Sequence, residues 1–123
     1  MIREDYCSPE VSKLLKEKGF DVELQCYSYD AVTKETVDIF WQKNINGLLP
    51  RCTHQLAMKW LRKKGIFILP DIRIVDGKWF CMIARRFEEV DNGCTGERRA
   101  MGYYDTYKET IEIALKYALE NLI

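Results

Sequence analysis

His54 is the only histidine in the chain, and that single count removes most imidazole chemistry before any fold is considered. A structural zinc site needs four ligands at short, regular spacing, and Cys52 with His54 is the only close pair on offer. We therefore expect no metal and no cofactor, with Cys52 and His54 capping or flanking a helix instead. A thiol enzyme would need a thiolate beside a base. Cys94, in Asn92-Gly93-Cys94-Thr95-Gly96, is the exposed candidate, yet nothing in the spacing joins it to His54, and it reads as a loop cysteine. Glu88 and Glu89 read as a solvated strand end rather than an acid and base pair. Gly93 and Gly96 lack the Lys-Ser/Thr that a phosphate-binding loop requires. No catalytic residue is assigned, and the chain is expected not to be an enzyme.

Cationic side chains form a pattern with more reach. The formal net charge is zero, but residues 1–50 carry six positive and nine negative side chains, 51–86 nine and two, and 87–123 four and eight. A cationic middle between acidic ends either pairs with those ends or attracts an anionic partner. Lys59, Arg62 and Lys63 would share one arc of a helix, while Arg73, Arg85 and Arg86 belong to a hairpin in which Trp79 and Phe80 offer stacking planes. These six cations are the candidate binding surface, and nucleic acid is one partner it could take. Zero net charge and the absence of a recognised nucleic-acid motif weigh against that partner. The plainer reading is solvated charge that complements itself.

Tyr27, Tyr29, Phe40, Trp41, Tyr103 and Tyr104 are more aromatics than one small core readily hides, and exposed aromatics are typical of interface centres. An unidentified protein partner or a homo-oligomer, formed through a sheet edge or the mixed face of the hairpin, would cover them.

The elements that must position these residues follow from local signals. Ser8-Pro9-Glu10 starts a helix over Pro9–Lys18 with Val11, Leu14 and Leu15 buried, and Gly19 ends it with Phe20 folding back on Leu15. Val22, Leu24 and Cys26 alternate as a strand that Tyr27 and Tyr29 extend, and Val37, Ile39 and Trp41 alternate as a second. Asn44–Gly47 is a turn, with Leu48 and Leu49 leading into an amphipathic helix from Pro50 to Lys64, capped by Thr53 and ended by Gly65. Ile66–Val75 and Lys78–Phe87 form a hairpin on the two-residue turn Asp76-Gly77, with Ile74 facing Trp79, Ile72 facing Cys81 and Pro70 facing Ile83. Glu88–Asp105 reads as a loop, and Thr106 caps a last helix with the stripe Ile111, Ala114, Leu115, Ala118, Leu119 and Leu122.

The expected architecture is one α+β domain over residues 1–123: two layers, a four-stranded and mostly antiparallel sheet, helices on one face, order αββαββα. At this length about two thirds of the unfolded surface can be buried without disulfides. Five cysteines with no close pair fit a reducing compartment, and no apolar run approaches the roughly 20 residues that span a bilayer, so the expected location is the cytoplasm, away from membranes.

Three segments carry a resemblance. Glu4-Asp5-Tyr6 with Ser12–Phe20 (SKLLKEKGF), Thr53–Arg62 (THQLAMKWLR) and Tyr107–Ile123 (YKETIEIALKYALENLI) make the chain similar to a group of small uncharacterised proteins of gut Bacteroides-type bacteria and their phages or mobile elements. The resemblance implies a bacterial or phage setting and transfers no functional residue. The expected role is that of a non-enzymatic accessory protein acting by protein interaction or self-association, with nucleic-acid binding through the basic helix and hairpin as the alternative.

Overall fold

Helix α1 (Pro9–Glu17) begins where Ser8 accepts the Val11 amide at 3.3 Å, with Pro9 in the first turn where its missing amide costs nothing. The structure, a computed structural model, describes residues 5–90 and 93–123, with side chains described for all of these except 86–90, 93–99 and 101. The helix ends as its sequence predicts: Gly19 adopts φ +88°, its amide reaches Lys16 O, and the Phe20 amide returns to Leu15 O at 3.0 Å. That return throws Phe20 into the core, where its ring meets Trp41 at 5.3 Å and Trp60 at 5.5 Å between centroids.

The chain continues as β1 (Tyr27–Asp30), β2 (Thr36–Val37), β3 (Leu48–Arg51), α2 (His54–Lys63), β4 (Ile66–Arg73), β5 (Lys78–Val90), β6 (Gly93–Tyr104) and α3 (Tyr107–Asn121). The class is α+β, but the expected single four-stranded sheet is replaced by two antiparallel three-stranded sheets, ordered β2-β1-β3 and β4-β5-β6. The order αβββαβββα therefore corrects αββαββα.

Three local differences separate the observed strands from the expected ones. Val22–Cys26 is not a strand: Leu24 sits at φ +61° in a turn, and the ladder starts only at Tyr27. Single bonds from Trp41 N to Cys26 O and from Leu24 N to Trp41 O still draw the two expected strand segments together. Leu48 and Leu49, read as the approach to the helix, and Pro50 and Arg51, read as its first residues, instead form β3 and pair with β1 from Asp30↔Leu48 to Tyr27↔Arg51, so α2 is correspondingly shorter. β3 is an edge strand, so Pro50 can join it without an amide to give. Finally, the Glu88–Asp105 segment is not a loop, since most of it belongs to the β5–β6 ladder, with an irregularity between Arg86 and Glu89.

The hairpin turn differs as well. Only Gly77 takes positive φ (+70°), so Asp76-Gly77 cannot form a two-residue turn that needs both, and Ile74–Gly77 make a four-residue loop closed by Gly77 N to Arg73 O. The register shifts by two residues, to Ile72↔Trp79, Pro70↔Cys81 and Ile68↔Ile83. An even shift leaves each side chain on its expected face. Ile66, Ile68, Cys81 and Ile83 are buried on one side, where α3 packs on all three strands and α2 packs on β4. α3 brings Ile111, Ala114, Leu115, Ala118 and Leu119, all fully buried, and one hydrophobic cluster runs from Cys7 through Trp41 and Trp60 to Leu119. Among the described residues no helix is long and apolar enough to cross a membrane.

Candidate binding surfaces

His54 opens α2 with its ring 2% exposed, Ser8 caps α1, and Glu112 projects from α3 between them. Glu112 Oε1 accepts the Ser8 amide at 2.9 Å and meets His54 Nε2 at 2.7 Å, while Oε2 accepts the Ser8 hydroxyl at 2.7 Å. One carboxylate thus sits at the positive ends of two helix dipoles and ties both to the third helix. Burial pushes the Glu112 carboxyl up, but the bonds from His54 and from the Ser8 side chain and amide outweigh it and hold it below the usual carboxylate range. The Ser8 proton goes to Glu112 and its oxygen to Val11, with the carboxylate standing between Ser8 and His54. A nucleophile needs the opposite order, hydroxyl against imidazole. These polar atoms serve as a clasp.

The thiols lie apart from that clasp chemistry. Cys52 turns to Cys7, sulfur to sulfur at 3.8 Å, rather than joining His54 in a ligand set. The hydrogen bond with Cys52 and then burial push the Cys7 thiol up. Burial raises Cys26 to about 12 and Cys81 to about 11, which keeps both protonated at neutral pH. Among the described residues no three His, Cys, Asp or Glu are grouped to hold a metal ion. The Cys94 side chain lies outside the described residues.

The six candidate cations do not share one surface. Lys59, Arg62 and Lys63 are exposed along α2, on the side away from buried Ala57, Met58 and Leu61. Arg73 lies at the turn end of β4, about 23 Å along the strand from Ile66 where the helix hands over. There it pairs with Asp76 and stacks 3.8 Å over the Tyr103 ring. Asp76 is held at about 2 by that guanidinium. Arg85 is half-buried opposite Ile66, and the Arg86 side chain lies outside the described residues.

Two other features come from the assembled chain. Among the described residues the face of β4-β5-β6 opposite α3 is open: Phe67, Phe80 and Met82 are half-buried, Leu69 is 46% and Tyr103 50% exposed, and Phe80 and Tyr103 rings lie 5.6 Å apart. Beside the first sheet, Tyr27 and Phe40 stack at 4.7 Å and 17° next to a cleft of about 250 Å³. Of the six aromatics counted as more than one small core hides, Tyr29 and Trp41 are buried, Tyr104 is half-buried, and Tyr27, Phe40 and Tyr103 supply these two exposed features. The sequence reading missed Glu112, although a carboxylate between Ile111 and Ile113 on an apolar helix was the available signal. No family model matches the chain, and no curated protein and no solved structure matches it.

Proposed function

We propose that this chain is a non-enzymatic accessory protein that works through the open face of its β4-β5-β6 sheet, with a second copy of the chain as the occupant of that face. The observation that carries the reading is the composition of the face: Phe67, Leu69, Phe80, Met82 and Tyr103 on one side of an antiparallel sheet, with Arg73 at its margin. Aromatics, methionine and arginine are the residues enriched at interface centres, and every Å² of apolar surface removed from water is worth about 25 cal/mol. A chain of zero net charge does not repel its own copies. The same face carries exposed Asp71 and Lys78 near its turn end, so a self-complementary contact has an acid and a base to set against each other. Pro70 leaves the β4 edge short of a donor, which favours the face over the edge as the point of contact.

The bacterial or phage setting rests on the resemblance of Thr53–Arg62 and the C-terminal helix. A reducing cytoplasm is in keeping with Cys7 and Cys52 standing as neighbouring free thiols. The second reading, nucleic-acid binding, draws on the exposed row Lys59, Arg62 and Lys63. Sedimentation equilibrium tests the first. The expected result is a dimer in the micromolar range that Leu69→Asp or Tyr103→Asp weakens at least tenfold while circular dichroism stays unchanged. A monomer at several hundred micromolar overturns self-association.

A further inference from the structure

Tyr6, Tyr27 and Phe40 are exposed aromatic rings that line the cleft of about 250 Å³ beside the start of α2, and core packing gives no account of them. Tyr27 and Phe40 already stack in parallel, 42% and 48% exposed, as a ready planar wall. Arg51 lies over the Tyr6 ring, 3.7 Å from its centroid, on the same cleft. Through Gln25 and Leu56 the cleft adjoins a smaller depression lined by Lys59 and Lys63. Among the described residues the two linings hold three cations and no carboxylate. The neighbouring acid Asp21 accepts the Trp60 indole N–H at 3.1 Å.

Those features define a ligand by its chemistry. Tyr27 and Phe40 cover one ring face each by stacking on one another, so together they offer a planar group one outer aromatic face, and the cations select negative charge at its margin. A cleft below the usual 300–1,000 Å³ range of drug-sized pockets takes one ring system rather than a large ligand. Lys59 and Lys63 stand one helical turn apart, about 6 Å along the helix axis, on the depression that adjoins the cleft.

We infer that the cleft binds a nucleobase with its phosphate, the base on the outer face of the stacked Tyr27–Phe40 pair and the phosphate at Arg51, Lys59 and Lys63, supplied by single-stranded nucleic acid or by a free nucleotide. A duplex cannot serve, because its bases are already stacked on one another. The site uses the α2 cations without the hairpin, and it stands whether or not the sheet face dimerises.

The test is fluorescence anisotropy with a labelled oligothymidine, an RNA of equal length and a duplex, at 50 and 200 mM salt, with calorimetric titration of a nucleoside monophosphate alongside. Single strands are expected to bind at least tenfold tighter than duplex. Phe40→Leu, which keeps apolar bulk and removes the plane, should weaken binding at least about fivefold. Lys59→Ala with Lys63→Ala should lower the salt slope by about 1.4. Binding of the monophosphate alone, lost in Phe40→Leu, would assign the site to free nucleotide. No binding of either at 50 mM salt, or binding that Phe40→Leu leaves unchanged, overturns the inference.

Discussion

Glu112 receives the Ser8 amide, the Ser8 hydroxyl and the His54 ring, so its replacement removes three bonds and strands a ring that is otherwise buried. Hydrogen bonds to a charged group are worth roughly 1.5–3 kcal/mol and the unpaired buried partner adds to the loss, so Glu112→Ala should cost about 3 kcal/mol. For a chain of this size that is a fall in Tm of about 10 °C. The sign with pH follows from the depressed carboxyl of Glu112. Its stabilisation is full above the ordinary carboxylate range and is lost as pH falls through the lower folded-state value. The gap between the melting curves of wild type and Glu112→Ala should therefore narrow from about pH 7 to pH 3, whereas a constant gap would contradict the clasp. Ser12 makes the converse case: its hydroxyl is fully buried in α1 with no hydrogen-bond partner among the described residues. Ser12→Ala removes that desolvation cost and improves helix propensity, and a gain of about 1 kcal/mol in chemical denaturation is expected.

At the scale of elements, α2 and the β4–β5 hairpin show what local chemistry controls. Gly77 supplies the one left-handed residue of the hairpin loop, with nothing within 4 Å of an added Cβ. Gly77→Ala should cost about 1 kcal/mol through backbone strain alone, measured by urea denaturation, with the sheet otherwise unchanged. Helix ends were legible in the sequence because Ser8, Thr53, Thr106, Gly19 and Gly65 act within one turn of their own positions. The pairing of β1 with β2 was foreshadowed by the alternation around Tyr27, Tyr29 and Val37, but the third strand of the first sheet was not, because β3 exists only through pairing with Tyr27–Asp30, 18 to 24 residues away in sequence, which no local pattern announces. The β6 strand escaped for a related reason: a polar, glycine-punctuated segment becomes a strand when β5 satisfies its backbone. The exposed arc Lys59, Arg62 and Lys63 was legible from helical periodicity. Glu112 and the aromatic cleft were not, since each joins residues from separate elements that meet only in the folded chain.

For the molecule as a whole, one buried cluster joins α1, α2, α3 and both sheets, so the outward surfaces are held on a common frame. The sheet face and the aromatic cleft are separate features of that frame: one centred on Leu69 and Tyr103, the other on Tyr27 and Phe40. A chain with no net charge and an open apolar sheet face is expected to associate without help from electrostatic steering, so its self-association should depend little on salt, unlike binding at the cationic cleft. The most direct measurement is a dilution series of amide NMR spectra from about 1 mM to 10 µM. Self-association through the face predicts concentration-dependent shifts at Phe67, Leu69, Phe80, Met82 and Tyr103, with Tyr27, Phe40 and α2 unmoved. Spectra that do not change with dilution, or changes centred on α2, would contradict it.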